Sequence, residues 1–234
     1  MIPISDDNPT TLTPFVNWAV IAACVCVYIW QLTLGNAGEE QLLYAYSVTP
    51  AHLFGGHPFA GGISAPSPAF TILTSMFLHG SWLHLGGNML FLWIFGNNVE
   101  DLMGHVRYLV FYLLCGVAAA LTQGFDNPHS TIPMLGASGA ISGVLAAYVL
   151  AYPAARVTVI LPLGILLYPV KIAALFVVGF WFAAQLLSAA MTDPSQPGIA
   201  FAAHIGGFVA GLVLTPFFKY SDIPLFGRRR GPWD

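Results

Sequence analysis

Residues 199–218 read IAFAAHIGGFVAGLVLTPFF, an apolar run in which His204 is the one ionisable side chain. A helix that crosses the roughly 30 Å hydrocarbon core of a bilayer needs about 20 mostly apolar residues, so this run predicts a transmembrane helix. The whole chain has the same character: 57% of its 234 residues are hydrophobic, 7% are charged, and the mean hydropathy is +0.74. A soluble domain carries roughly a quarter charged residues. The composition therefore indicates a protein whose surface faces lipid.

Five further apolar runs approach the same length, and together they predict an all-α membrane protein with a bundle of six transmembrane helices. The apolar run at 157–168 is shorter and contains Pro162 and Gly164, so it predicts an interfacial or re-entrant connector. Residues 35–69 are too many for a plain turn and predict a long first loop. The chain is predicted to be one domain with an N-terminal tail at 1–14 and a basic C-terminal tail at 219–234. The six predicted spans lie at 15–34, 70–95, 106–123, 135–152, 170–191 and 199–218.

The basic residues test the six-span assignment independently. With six spans, all seven Lys and Arg residues fall at one face of the membrane, whereas a seventh crossing at 157–168 would divide them. Basic residues concentrate on the cytoplasmic side, so both termini are predicted to be cytoplasmic, with the protein in the plasma (inner) membrane. Asp6 and Asp7 stand where a signal peptide carries Lys or Arg, which predicts that the first span is retained. The basic residues are Arg107, Arg156, Lys171, Lys219 and Arg228 to Arg230.

Several functional classes find no support in the composition. The net charge of −3 provides no basic field for nucleic acid. Cys24, Cys26 and Cys115 lie in apolar runs without metal-ligand spacing, which argues against a disulfide framework and against a zinc site. The sequence contains no cofactor or metal motif, so none is expected to be needed. The oligomeric state stays open.

Polar side chains inside three of the predicted spans indicate a buried site, because such groups are costly in lipid. His84 and Asn88 stand at i and i+4 and therefore share a helix face. Ser138 lies beside a glycine stripe in the fourth span, and His204 shares a face with glycines in the sixth. Glycine faces let two helix backbones approach closely, so docking of these spans would bring the Ser138 hydroxyl to the His204 imidazole. The glycines are Gly136, Gly139 and Gly143 in the fourth span and Gly207 and Gly211 in the sixth.

A serine hydroxyl becomes an effective nucleophile when an adjacent base takes its proton, and His204 can serve as that base. The fourth and sixth spans contain no carboxylate to orient the imidazole, so a dyad of Ser138 and His204 is predicted. His84, Asn88 and the backbone N–H groups at the start of the fourth span are the predicted donors to an oxyanion.

Each of these residues also has a structural interpretation. A serine in a membrane helix often bonds a neighbouring carbonyl, and an asparagine can link two helices. Taken singly, the buried histidines also allow a structural role. His79 is predicted to be structural and turned away from Asn88. The joint occurrence of these residues with the glycine stripes favours the catalytic interpretation.

At these positions the sequence closely resembles the rhomboid family of intramembrane serine proteases. The nucleophile motif G-x-S-G is met by residues 136–139, and A-H-x-x-G-x-x-x-G by residues 203–211. The patterns H-x-x-x-x-H-x-x-x-N and G-x-x-x-E-x-x-x-G are met by residues 79–88 and 96–104. The resemblance implies a compact six-helix bundle with a partly embedded first loop, which cleaves transmembrane protein substrates near the outer membrane boundary. It also implies that Glu100 is structural and that residues 180–186 flank the substrate entrance.

Two positions depart from the family pattern. Phe70-Thr71 stands where many members have Trp-Arg, and Ser142 stands where some have an aromatic residue that stacks on the catalytic histidine.

Two other functions stay open. One is a transporter or channel lined by buried polar residues, although the sequence contains no repeated half. The other is a catalytically inactive relative that binds membrane clients, although such relatives typically lose the serine or the histidine.

Overall fold

The computed structural model describes residues 2–54, 66–163, 166–191 and 200–226, and most of this part of the chain is helical. The helices form a bundle, and a small sheet lies at one end of it. In chain order the elements are β1 (Ile2–Asp6), α1 (Phe15–Thr33), α2 (Gly35–Tyr46), α3 (Pro50–Leu53), α4 (Pro68–Thr74), a 3-10 helix (Ser75–Phe77), α5 (Trp82–Phe91), a π-helical turn (Leu92–Gly96), α6 (Asn97–Met103), α7 (His105–Asp126), α8 (Ser138–Ala151), β2 (Arg156–Leu163), β3 (Leu166–Ala173), α9 (Ala174–Met191) and α10 (Phe201–Phe218).

Four of the described helices, α1, α7, α9 and α10, are long and apolar enough to cross a membrane. The bounds of α1, α7 and α10 lie within a few residues of the first, third and sixth predicted spans, although residue 199 is outside the described residues. α9 begins at Ala174 because residues 170–173 belong to a strand. α8 is an apolar helix that is shorter than the predicted span at 135–152. The chain is a multi-pass membrane protein, and the count of six spans stays a prediction.

The second predicted span, 70–95, is not one continuous helix. The 3-10 helix after α4 ends before Leu78, whose backbone is extended, and α5 begins only at Trp82. The Ser81 hydroxyl accepts a hydrogen bond from the His84 N–H and caps the new helix. Serine favours such a cap over a helix interior because its side chain replaces the missing intrahelical partner. The continuous-helix prediction was wrong because hydropathy does not register this break.

A three-stranded antiparallel sheet, in the order β1-β2-β3, contradicts the all-α prediction. β2 and β3 form a hairpin between α8 and α9, where the sequence predicts an interfacial or re-entrant connector. Val157 and Val159 are buried against the helical core, and Thr158 between them pairs with Lys171. Alternation with a period of two and branching at Cβ both favour a strand. The connector is therefore an extended hairpin that packs on the bundle.

This sheet also orders the N-terminal tail. In β1, Ile2 lies opposite Ile160 of β2, and Asp6 lies opposite Val157. The Tyr148 hydroxyl of α8 donates a hydrogen bond of 2.6 Å to the Asp6 carboxylate. Burial raises the pKa of Asp6 to about 6. The tail is thus a structural part of the domain that packs on the end of α8.

The described basic residues lie at the same end of the bundle as this sheet. Arg156 and Lys171 belong to the hairpin that pairs with β1. The chain that follows α10 begins at Lys219, and its Phe226 N–H donates to a carbonyl in the last turn of α8. Arg107, near the start of α7, lies over an aromatic ring of this C-terminal segment, 5.4 Å from the ring centroid. The clustering agrees with the sequence prediction for these four residues, while the three C-terminal arginines lie outside the described residues.

The described part of the first loop contains helices α2 and α3, and residues 55–65 lie outside the described residues. Its Val48 exchanges two backbone hydrogen bonds, of 2.7 and 3.0 Å, with Met134. The Gly136 N–H donates to the Ser75 carbonyl at 2.8 Å. These bonds hold the segment that leads into α8 against the first loop and the 3-10 helix.

α8 and α10 approach each other through glycines. A Cβ atom at Gly207 would overlap the carbonyl oxygen of Gly139, and one at Gly211 would lie 2.6 Å from the Cα atom of Gly143. Ordinary carbon contacts are about 3.5–4.0 Å, so glycine alone fits at these positions. The close approach places the first turns of α8 and α10 on facing surfaces.

Candidate active site

Ser138 is the first residue of α8 and is partly buried. Gly136, two residues earlier, has a φ of +115°, in the region that favours glycine. A Cβ atom there would lie 2.7 Å from the Cε1 atom of His84. The first backbone N–H groups of a helix have no intrahelical partner. The glycine at 136 therefore lets the His84 ring pack against the turn that precedes Ser138.

His204 of α10 faces Ser138 across the glycine contact. Its Nε2 atom lies 2.7 Å from the Ser138 Oγ atom, which is hydrogen-bond distance. His204 is 8% exposed, whereas Ser138 is partly buried. An imidazole nitrogen that accepts a serine hydroxyl is the arrangement required for removal of the hydroxyl proton.

The other ring nitrogen of His204, Nδ1, lies 2.6 Å from the Oε1 atom of Gln185 on α9. An amide oxygen can only accept, so this contact assigns the ring proton to Nδ1 and leaves the Nε2 lone pair for Ser138. Sequence analysis did not assign Gln185 to the site. A polar residue inside an apolar span is the signal that would have found it.

Aromatic rings from two segments flank the His204 ring. The Trp181 ring centroid lies 5.8 Å away with a 40° tilt, and the Phe201 ring lies 6.5 Å away, edge-on. Ser142 has no ring to pack against the histidine. Its hydroxyl donates to the Ser138 carbonyl at 2.7 Å. The aromatic contacts of His204 are thus made from α9 and from the start of α10, and not from position 142.

His84 and Asn88 of α5 line the same cavity as Ser138. The Asn88 amide nitrogen lies 3.0 Å from the Nε2 atom of His79, and the His79 and His84 ring centroids are 5.1 Å apart. His79 is fully buried, and its Nδ1 atom lies 3.2 Å from the Phe77 carbonyl. The prediction that His79 turns away from Asn88 was wrong, because His79 precedes the first residue of α5 and helical spacing does not apply to it.

A cavity of about 860 Å³ contains these groups, and it is lined by side chains of α5, α8, α9 and α10. This volume lies in the range of sites that enclose a ligand, which is about 300–1,000 Å³. Within the described ranges, no group of three or more His, Cys, Asp or Glu side chains is arranged to hold a metal ion. The polar groups on its wall include His84, Asn88, Ser138, Gln185 and His204.

Glu100 is not among the residues that line this cavity. It belongs to α6, and its carboxylate lies against the first turn of α1. Its carboxylate accepts hydrogen bonds from the Val16 N–H at 3.0 Å and from the Asn17 N–H at 2.7 Å, and it also contacts His105. Both N–H groups belong to the first turn of α1, where the helix supplies no acceptor. A buried carboxylate at a helix N-terminus satisfies these donors and complements the helix dipole.

The fold and the site define a multi-pass membrane protein with a partly buried serine–histidine pair. The sequence model of the Rhomboid domain family matches residues 66–221, about two thirds of the chain. The chain therefore belongs to the rhomboid family.

Among similar proteins is the Rhomboid protease GluP of Bacillus subtilis, 30% identical over 158 residues, which cover 68% of this chain and 28% of that protein. Rhomboid protein 1, mitochondrial, of Saccharomyces cerevisiae is 29% identical over 147 residues, covering 61% of this chain and 40% of that protein. Inactive rhomboid protein 1 of Drosophila melanogaster is 31% identical over 115 residues, which cover 49% of this chain and 8% of that protein. The chain spans less than half the length of each of these relatives, which include a protein named as a protease and one named as inactive.

Proposed function

We propose that this chain is an intramembrane serine endopeptidase that cleaves transmembrane segments of other membrane proteins near the outer membrane boundary. The observation that carries the proposal is the 2.7 Å contact between Ser138 Oγ and His204 Nε2 on the wall of a cavity. Membership in a family that includes the GluP protease supports it.

In the proposed reaction, Ser138 Oγ attacks the carbonyl carbon of the scissile peptide bond while its proton passes to His204 Nε2. The carbonyl oxygen then carries the negative charge. His204 gives the proton to the leaving amine nitrogen, the C–N bond breaks, and an acyl ester remains on Ser138. A water molecule that His204 deprotonates in the same way hydrolyses the ester and restores the serine hydroxyl.

His84, Asn88 and the first backbone N–H groups of α8 are the proposed donors to the oxyanion. An Asn amide has two N–H groups, and the contact with His79 uses one of them. The second takes part in no hydrogen bond among the described residues, and Asn88 lines the cavity. Donors that are in place before the charge develops are worth about 2.7–4 kcal/mol each in related reactions.

The other residues singled out in the sequence have proposed structural roles. Gly207 and Gly211 allow α10 to meet α8, Gly139 allows α8 to pack on Ala119 of α7, and Gly136 allows the turn that precedes Ser138. Glu100 links α6 to the start of α1 through the hydrogen bonds described above.

We also propose that both termini are cytoplasmic and that the protein resides in the plasma (inner) membrane. The N-terminal strand, the hairpin and the segment after α10 lie at one end of the bundle together with the described basic residues. Basic residues concentrate on the cytoplasmic side. The cavity is bordered by the loop that leads into the first residue of α8, whereas the hairpin follows the last residue of α8. The cavity and the hairpin therefore lie at opposite ends of this helix. Substrate would then meet Ser138 on the outer side.

A second candidate function is binding of membrane clients without cleavage; the similarity to a Drosophila protein named as inactive favours the absence of cleavage. The hydrogen-bond distance between Ser138 and His204 favours the protease. The two functions differ in whether Ser138 reacts.

Labelling with a fluorophosphonate probe distinguishes the two functions. We expect the purified wild-type protein to be modified at Ser138, and we expect labelling to be lost in Ser138→Ala and in His204→Ala. Ser5→Ala changes an exposed serine of β1 and should label like the wild type. In proteoliposomes, the wild type and Ser5→Ala should cleave a model transmembrane substrate, and Ser138→Ala and His204→Ala should not. A folded wild-type protein with an unmodified Ser138 and no turnover would refute the protease proposal.

A further inference from the structure

Gln185 is one of two polar residues, with Ser188, in the α9 sequence ALFVVGFWFAAQLLSAAM. A polar side chain inside a membrane helix is costly, so its partner indicates why it is there. The described partner of Gln185 is the Nδ1 atom of His204, 2.6 Å from the amide oxygen. Gln185 therefore contacts the histidine on the ring nitrogen opposite to the one that faces Ser138.

The contact bears on the tautomer of His204. A neutral imidazole has one N–H donor and one lone-pair acceptor, and the hydrogen bond made by one nitrogen determines the role of the other. Because the Gln185 oxygen accepts, Nδ1 donates and Nε2 keeps the lone pair. That lone pair lies 2.7 Å from the Ser138 hydroxyl oxygen. With the proton on Nε2 instead, His204 could not accept the serine proton.

Trp181 supports the same orientation. It precedes Gln185 by four residues, so both side chains lie on one face of α9. The Trp181 ring contacts the His204 ring at a centroid distance of 5.8 Å. α9 thus restricts both the rotation of the ring and the position of its proton.

We propose that Gln185 is a positioning residue that holds His204 in the tautomer and orientation required for deprotonation of Ser138. The inference rests on the proposed protease function and adds a third, uncharged member to the pair. In the described part of the chain, no carboxylate bonds to His204, so the amide takes the orienting place that an aspartate has in a Ser-His-Asp triad.

The test compares Gln185→Met and Gln185→Glu with the wild type. Methionine has a similar length but offers no strong acceptor, so kcat should fall by about 10- to 100-fold, the range expected when a buried donor loses its partner. Glutamate keeps the acceptor, so Gln185→Glu should retain most of kcat. A carboxylate favours the protonated imidazole, so the acid limb of kcat/KM should move to higher pH. The other described titratable group that acts on His204 is His84, which is unchanged in both variants.

Leu187→Met is the matched control, because Leu187 is an exposed residue of the same helix. It should leave kcat, the pH profile and Tm unchanged. Wild-type kcat in a folded Gln185→Met protein would overturn the inference alone, and so would equal losses in the Met and Glu variants, since both would show that the acceptor is irrelevant. A wild-type protein that neither labels nor cleaves would overturn the protease proposal and this inference together.

Discussion

Replacement of Gly207 by alanine should separate α10 from α8 and thereby disrupt the contact between Ser138 and His204. A Cβ atom at Gly207 would overlap the Gly139 carbonyl oxygen and would lie 2.9 Å from its carbonyl carbon. Ordinary carbon contacts are about 3.5–4.0 Å, so the two backbones must move apart by roughly 1 Å. The overlap is with backbone atoms of Gly139, and the backbone fixes the position of a Cβ atom, so a side-chain rotation cannot relieve it.

The expected effect is on both stability and rate. Overpacking of this kind destabilises by about 1–3 kcal/mol. His204 lies one turn before Gly207 on α10, so a shift of roughly 1 Å would lengthen the 2.7 Å contact beyond hydrogen-bond distance. A misplacement of about 1 Å in catalytic geometry can lower the rate by about 100-fold. We therefore expect Gly207→Ala to lower both Tm and kcat.

The assay measures Tm, kcat and fluorophosphonate labelling on the same detergent preparation. Gly179→Ala is the matched control, because a Cβ atom there would meet no atom within 4 Å. Alanine favours a helix over glycine by up to about 1 kcal/mol, so this control should be as stable as the wild type or slightly more stable. A Gly207→Ala protein with wild-type Tm and kcat would refute the packing argument. A lowered Tm with unchanged kcat would refute the link between packing and the site.

Two further predictions concern Asn88 and Asp6. Asn88→Ala should lower kcat by about 100- to 1,000-fold with little change in KM, because an oxyanion donor acts mainly in the transition state. If Asn88 serves only to bond His79, Tm should fall while kcat of the folded fraction stays near that of the wild type. The pKa of Asp6 is raised to about 6 by burial, so the folded state holds this proton more tightly than the unfolded state, whose pKa is near 3.8. Its contribution to stability should be largest below about pH 4 and should be lost as the pH rises through about 6. Asp6→Asn keeps an acceptor for Tyr148, so its Tm relative to the wild type should increase from pH 4 to pH 7, and a constant difference would contradict this assignment.

The transmembrane helices and the sheet differ in how far the sequence predicts them. α1, α7 and α10 are long apolar runs, and membrane thickness sets their length, so hydropathy locates them closely. The apolar run at 157–168 is short, and for such runs periodicity cannot separate a buried helix from a strand. Its pairing partner β1 lies about 150 residues away in sequence. No local signal in Ile2–Asp6 indicates that pairing, so the sheet becomes visible only in the folded chain.

The break before α5 has a local signal that hydropathy obscures. Residues 77–81 contain Gly80 and Ser81, which commonly precede a helix start, but they lie within a run that is apolar overall. The consequence extends to the site. Because His79 lies before the break, it folds back to the Asn88 amide and does not follow the helical spacing that separates it from His84.

The site itself shows which contacts between helices a sequence can predict. Ser138 and His204 lie 66 residues apart, yet Gly207 and Gly211 indicate which face of α10 meets α8, because the close backbone approach requires them. α9 has no such stripe, and its apolar residues surround the helix on all sides, so its rotation about its own axis cannot be predicted from the pattern. Gln185 can instead be recognised because burial of a polar amide in an apolar membrane helix is energetically costly. Such an amide requires a partner inside the bundle. His204 has one ring nitrogen not used by Ser138, and that nitrogen is the partner that the folded chain provides.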